Sequence, residues 1–341
     1  MTRLRYSADE LLRSHDYARP QIEAGQRLHG GFDAAGAYIP PRTLLRGPAL
    51  DAWTEGLRAR GGELLAADSS LLAGVRYPSN AQQKLLSREG LGQTFWNSLT
   101  IIGVIEARGR ALADLPFPDL QKVVVQDISD MAIGHLNGGL LRAHGLDEGG
   151  EPEAGLGGHD VMWFALRDLA FGKTGFPMPV VPDNIARPDA NVPLFPQLPV
   201  EYERLVHFLC NLLMIEFRAE RGFSSTENLL RDPELFTDRR AEAEHAAEIV
   251  NRIRIDEAVH VHSLRLYLGE LRTLDLRTND GGTISGREVV DTFWEGIVKW
   301  ATIEQPPLAA AQQKQILLER IAAHPERERI TREFLALEDR G

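Results

Sequence analysis

The stretch that most constrains how this chain can fold is residues 249–268, IVNRIRIDEAVHVHSLRLYL. Wound as an α-helix, it places Val250, Ile253, Val261, Leu264 and Leu268 within about 40° of Glu257, and His260 about 60° away. A carboxylate and an imidazole therefore stand three residues apart inside an apolar stripe. A lone buried charge is costly, and the usual remedies are a paired charge or a metal. Glu and His at this spacing on a bundle helix are also an arrangement of carboxylate metal sites. The competing reading is a core Glu–His pair that satisfies itself.

The same anomaly recurs. Residues 92–112 read as a helix in which Phe95, Leu99, Ile102 and Ala113 surround Glu106, with Arg108 and Arg110 close enough to suggest an internal salt bridge instead. Residues 118–144 read as a second helix whose apolar face runs through Val124, Ile128 and Met131 to His135, with Gly138 and Gly139 allowing close backbone approach. By itself His135 reads as a satisfied core histidine. A third helix, 200–222, surrounds Glu216 with Leu205, Leu209, Leu212 and Phe223, while His207 points away to a surface or interface. The fourth, 237–271, carries Glu257 and His260. Its other E-x-x-H, Glu242 to His245, is flanked by Ala, Glu and Arg and reads as a solvated coincidence.

Between the second and third helices lies a Gly-rich loop, a short aromatic helix beginning HDVMWFALRDLAFG, and seven prolines between Gly175 and Val200. Such proline density forbids helix or central strand, yet Phe176, Met178, Val180 and Phe195 are too apolar for disorder. The stretch reads as an ordered crossover, about 145–200. Before the bundle, Ser7 caps a short helix, 30–48 is an irregular loop and 50–60 a second helix; after it come helices at 287–303 and 307–337. Strand signals are weak, the one β-branched run, Val123–Val125 in sequence, lying inside a helical pattern. The expected organisation is a single domain over 1–341: an N-terminal extension (1–80), a bundle (81–272) and a C-terminal helical extension (285–338).

A net charge of −11 argues against a nucleic-acid or anionic-membrane surface. The single cysteine, Cys210, rules out an intrachain disulfide and a Cys-rich metal site. No signal peptide or membrane span is read, so the expected location is the cytoplasm. The segment RTNDGGTISGRE resembles the end of an EF-hand loop, but Arg277 stands at the first ligand position and excludes calcium.

Glu106, His135, Glu216, and Glu257 with His260 stand in four successive long helices, with a long crossover after the second. In these residues the chain resembles the ferritin-like carboxylate-bridged di-metal superfamily, whose pattern is Glu, Glu-x-x-His, Glu, Glu-x-x-His. The resemblance covers about 190 residues. It departs at helix two, where Ala132 stands at the carboxylate position before His135, and His159 or Asp160 are candidates to complete the site. The resemblance implies an all-α, ferritin-like four-helix bundle and one or two iron ions, with manganese as the alternative. Glu106 and Glu216 would be terminal ligands, Glu257 a bridging carboxylate, and His135 and His260 nitrogen ligands. The implied activity is a non-haem oxidoreductase activating dioxygen to oxidise a small organic substrate, in a homodimer. Two other readings compete: a metal-free scaffold whose buried carboxylates are held by Arg108, Arg110, Arg218 and Arg254, and a hydrolase or isomerase using them as acid and base.

Overall fold

The computed structural model describes residues 4–72, 76–183, 185, 187 and 193–338, and the chain is mostly helical with little sheet. The N-terminal part comprises α1 (Ala8–Leu11), a small antiparallel sheet of β1 (Arg19–Glu23), β2 (Gln26–Phe32) and β3 (Tyr38–Ile39), α2 (Arg46–Ala59) and α3 (Asn80–Arg88). The body is α4 (Gln93–Gly109), α5 (Leu141–Gly149), α6 (His159–Phe171), α7 (Val200–Arg231) and α8 (Arg240–Leu271). A hairpin of β4 (Asp275–Arg277) and β5 (Thr283–Ser285) leads into α9 (Gly286–Lys299), α10 (Gln305–Ala322) and α11 (Arg327–Ala336). Among the described residues, no helix is long and apolar enough to cross a membrane.

Local chemistry explains most boundaries. Ser7 caps α1 and exchanges hydrogen bonds with Glu10, and Ser79 does the same for α3 with Gln82. The EF-hand-like segment is the β4–β5 hairpin. Among the described residues the crossover carries no regular element between α6 and α7, as its prolines require; Pro188 lies outside the described residues.

The expected helix over 118–144 does not form. Its first part makes short turns at Leu120–Lys122, Ala132–His135 and Leu136–Leu140, and α-helix begins only at Leu141. Two features break the period. Gly139 has φ 119°, and a Cβ there would lie 3.1 Å from the Ala8 Cα, so the chain turns where α1 packs against it. The β-branched run takes up strand-like pairing instead: Val124 bridges Leu276, and the Val125 amide donates to the Asp275 carbonyl at 2.9 Å. The loop expected at 30–48 likewise contributes to β2 and β3.

Two apolar cores lie along the long helices. One contains Leu209 and Leu213 of α7, Leu264 and Leu268 of α8, Trp53 of α2 and Leu112. The other contains Phe95 and Leu99 of α4, Trp163 and Leu166 of α6, Phe223 of α7, and Ile249, Val250 and Ile253 of α8. Each fully buried aliphatic side chain contributes about 1.5–3 kcal/mol, so both ends of α8 are firmly held. On α4, α7 and α8 alike, the ionisable residue stands between the two cores: Glu106, Glu216, and Glu257 with His260. His207, expected at a surface or interface, is buried where α7 meets α9, stacked on Phe293 at 4.7 Å.

Glu270 ties α8 to the irregular segment. It is fully buried, accepts from the Ile133 amide at 2.8 Å and from Arg60 Nη2 at 3.3 Å, and burial pushes its carboxyl up to about 7. The unfolded carboxyl ionises near 4.5, so folding is penalised increasingly as pH rises from about 5 to about 7, and the penalty is at most about 3 kcal/mol. Glu270→Gln keeps an acceptor for Ile133 and cannot ionise. The variant is expected to gain on wild type by up to that amount between pH 5.5 and 8, as read by urea unfolding. An unchanged difference between the two proteins across that range would remove the penalty.

Candidate metal centre

Glu106, Glu216, Glu257 and His260 converge between the two cores, and three further residues complete the cluster: His144 and Glu148 from α5 and His159 from the first turn of α6. Two of the sets whose ligand atoms lie within 4.8 Å of one another are His144, Glu148, Glu216 and His260, and Glu106, Glu148, His159 and Glu257. Glu148 belongs to both. Its Oε1 lies 3.1 Å from His260 Nδ1, 3.5 Å from His159 Nδ1 and 3.6 Å from His144 Nε2. Glu257 reaches both histidines, at 3.1 Å from His159 Nδ1 and 3.1 Å from His260 Nδ1. Glu216 Oε1 stands 3.2 Å from His144 Nε2, and the rings of His144 and His260 stack at 3.9 Å.

The close approach of α5 is built into the sequence. Gly145 faces the turn that follows α4, where a Cβ would stand 2.4 Å from the Ala113 amide. Only a glycine lets α5 carry Glu148 this near to Glu106.

The outward nitrogens of His159 and His260 are each met by an aspartate. His260 Nε2 lies 3.2 Å from Asp147 Oδ2, which is paired with Arg46 Nη2 at 2.7 Å, while Asp147 Oδ1 meets Arg42 Nη1 at 2.6 Å. His159 Nε2 lies 3.3 Å from Asp256 Oδ2, which also accepts from the Tyr38 hydroxyl at 2.9 Å. Both aspartates immediately precede a cluster glutamate, and each serves a histidine on another element. In the neutral ring, an Nε2–H fixed in this way leaves Nδ1 as the lone-pair atom facing the cluster. A third set, His29, His159 and Asp256, adjoins this outer layer. The N-terminal residues expected as a mere extension thus supply Tyr38, Arg42 and Arg46 to the site's surroundings.

So many buried ionisable groups perturb one another. Burial and the nearby Glu148 raise Glu106, and burial and Glu257 raise Glu216, both well above the ordinary carboxyl range. Against burial, Glu106 and His159 hold Glu148 well below it. Against burial and the Glu148 charge, His260 holds Glu257 down to about 2. Against burial, Glu148 raises His159 and Glu257 raises His260. Burial and the stacked His260 lower His144 to about 3.

Glu148 Oε1, Glu257 Oε1 and His159 Nδ1 are buried without a hydrogen-bond partner. Unpartnered buried polar atoms are rare and ask for an occupant. Here they are ligand-type atoms facing one another, so the residues present fit a bound cation. The donor set is oxygen and nitrogen; Cys210, the only sulfur of thiol type, is buried elsewhere in α7 and raised by burial.

His135 is not part of this centre. It is fully buried beside Trp53 at 4.7 Å, with Nδ1 2.7 Å from the Met131 carbonyl and Nε2 accepting from the Tyr6 amide at 3.1 Å. Both ring nitrogens are used, and burial lowers the imidazole, which keeps it neutral. His135→Leu should leave the metal content unchanged and cost about 1–3 kcal/mol by stranding the Tyr6 and Met131 groups. Elemental analysis and urea unfolding check both halves; loss of metal would contradict the placement. Asp160, the other candidate to complete the site, is in none of the ligand sets. His245 pairs with Glu23 at 2.6 Å, away from the cluster, and the half-buried Glu242 lies 3.8 Å from Arg239.

A cavity of about 540 Å³ opens on one face of the cluster. Glu106, His144, Glu148 and Glu216 line it, and its walls are apolar, including Ile102, Ile105, Leu212, Ile215 and Phe223. The arginines that a metal-free core would need are engaged elsewhere: Arg108 donates to the Pro182 carbonyl, Arg110 to Gly150 and Asp114, Arg218 to Ala301, and Arg254 to Glu220 and Glu227. No protein-family model, curated protein or solved structure matches the chain.

Proposed function

We propose that the chain is a non-haem di-metal oxidoreductase of the ferritin-like type, which uses two iron ions, or manganese, to activate dioxygen and oxidise a small organic substrate. The observation that carries this reading is the pair of ligand sets sharing Glu148, with unpartnered donor atoms aimed into both. Glu106, His159 and Glu257 would hold one ion, His144, Glu216 and His260 the other, and Glu148 both. The helix-two carboxylate absent at Ala132 is then Glu148, and its histidine is His159 on the following helix. Charge points the same way. Six carboxyl groups, of Glu106, Asp147, Glu148, Glu216, Asp256 and Glu257, are buried in and around the cluster, and two guanidinium groups, of Arg42 and Arg46, meet them at Asp147, with Arg42 also meeting the part-exposed Glu151. With all six ionised and the imidazoles neutral, the state in which these groups would bind metal, four negative charges would remain for two divalent cations to cancel; without metal, protons on Glu106, Glu216, His159 and His260 take their place. Carboxylate and imidazole donors without thiolate suit iron and manganese.

Bound there, iron supplies dioxygen activation and the redox equivalents for oxidation. The protein's own part is positional. Asp147 and Asp256 set the tautomer and ring angle of His260 and His159. The apolar walls keep bulk water from the cluster face and seat the substrate against Glu106, His144, Glu148 and Glu216. Protein purified without a metal-affinity tag should contain near two equivalents of iron or manganese, and the reduced form should change its absorption spectrum on exposure to oxygen. Absence of any transition metal would sink the reading. Metal without an oxygen response would favour acid–base chemistry instead.

A further inference from the structure

The third ligand set has unpartnered atoms that the pair of ions does not use. His29 stands in β2, which is laid beside the start of α6 by the His29 amide donating to the Gly157 carbonyl at 2.9 Å. Its ring meets that of His159 edge-on at 5.1 Å. His29, His159 and Asp256 are each at most 2% exposed, and one donor atom from each lies within 4.8 Å of the others. Asp256 Oδ2 is 3.3 Å from Nε2 of both histidines. Neither nitrogen of His29 has a hydrogen-bond partner, Nε2 facing that oxygen out of line, and Asp256 Oδ1 has none either. Polar atoms buried in this way are costly unless something fills the space between them. The observation is independent of the cluster, because neither His29 nor Asp256 belongs to either set assigned to the pair of ions.

We propose that His29, Asp256 and His159 form a separate site for a divalent cation of the zinc type, with the His159 imidazole spanning it and the ion on Glu106 and Glu257. His29 would bind through Nε2 with its proton at Nδ1, Asp256 through its carboxylate and His159 through Nε2. The proton between His159 Nε2 and Asp256 passes to solvent as the cation takes its place, and Nδ1 still faces the cluster. Two imidazoles and one carboxylate are a donor set of zinc sites, in which a fourth ligand completes a tetrahedron. The Tyr38 hydroxyl, 2.9 Å from Asp256 Oδ2, is placed to supply it. With two divalent ions in the cluster the buried charges already balance, and the third cation faces them across one imidazole. It should therefore bind more weakly than the pair and be filled by added metal rather than carried through purification.

Equilibrium dialysis of the as-purified protein against zinc, with elemental analysis before and after, reads the site without an activity assay. Wild type should gain about one equivalent of zinc more than His29→Leu, and both should keep the same iron or manganese, since His29 serves neither ion of the pair. If His29→Leu melts well below wild type, His29→Phe, which keeps a ring in the same space, supplies the comparison. Three results would overturn the proposal: no zinc gained by wild type, zinc gained only as iron or manganese is lost, or a gain that persists in His29→Leu. Protein purified without transition metal that still takes up one more zinc in wild type than in His29→Leu would instead remove the proposed oxidoreductase and leave this site standing.

Discussion

Glu148→Ala is expected to lower bound iron or manganese from near two equivalents per chain to less than one. No other residue belongs to both of the ligand sets assigned to the two ions, and its Oε1 is within 3.6 Å of all three cluster imidazoles. Removing it takes a donor from each ion at once, which a terminal ligand such as Glu216 does not. The same change should also remove most of the stability that metal adds to the fold. In the metal-free cluster Glu148 is held ionised beside Glu106, His159 and His260, so its deletion strands buried imidazoles; in a loaded cluster it would also take away a donor from each ion. Ligand at 1,000 times its dissociation constant stabilises a fold by about 4 kcal/mol per site. Chelation should therefore lower the melting temperature of wild type by several degrees and that of Glu148→Ala scarcely at all. Elemental analysis with thermal melts, using Glu242→Ala as the control E-x-x-H, decides it. Two equivalents retained in Glu148→Ala would refute the shared-ligand assignment.

How much of this centre was legible in the sequence follows from the form of each element. Glu106, Glu216, Glu257 and His260 stand in long helices with clear apolar stripes, so a carboxylate inside the stripe was conspicuous. His144 and Glu148 were missed because α5 is a short helix in which every residue but Arg142 is buried. Such a helix has no polar face against which a buried carboxylate looks out of place. The Gly-rich loop expected from Leu146 onward also took in Glu148 itself, which stands in the last turn of α5. A usable signal existed: the Asp147–Glu148 dipeptide repeats Asp256–Glu257, and in both the aspartate supports a histidine while the glutamate faces the cluster. His135 misled because a histidine on an apolar face looks the same whether it binds metal or a backbone carbonyl. Only the three-dimensional position of Tyr6 and Met131 separates the two. The helix expected over 118–144 failed for a related reason, since its period continued through Gly139, whose left-handed backbone no apolar pattern records.

Arg46→Met is expected to destabilise the metal-free fold by about 3 kcal/mol, the lower part of the range for breaking a buried ion pair, because Arg42 still holds the other oxygen of Asp147. Arg46 is itself buried and also donates to the Pro41 carbonyl at 3.0 Å, so no solvent replaces what it gives Asp147. The second consequence reaches the cluster. With Arg46 gone, Asp147 is free to turn toward Arg42, and the acceptor that fixes His260 Nε2 at 3.2 Å is no longer held. Loss of such an outer partner typically costs 10- to 100-fold in metal affinity. The ion held by His144, Glu216 and His260 should weaken by that factor, while the ion on Glu106 and His159, supported by Asp256 and Tyr38, keeps its affinity. Titration against a competing chelator should thus show one ion weakened by that factor relative to wild type and the other unchanged. Arg46→Lys should restore most of the stability and only part of the affinity, since a single ammonium supplies the charge without the guanidinium's fixed geometry. Equal weakening of both ions would mean that Arg46 acts through the fold as a whole. Unchanged affinity would mean that Asp147 does not set the angle of His260. The selective loss is the outcome that ties the N-terminal helix α2 to one particular half of the centre.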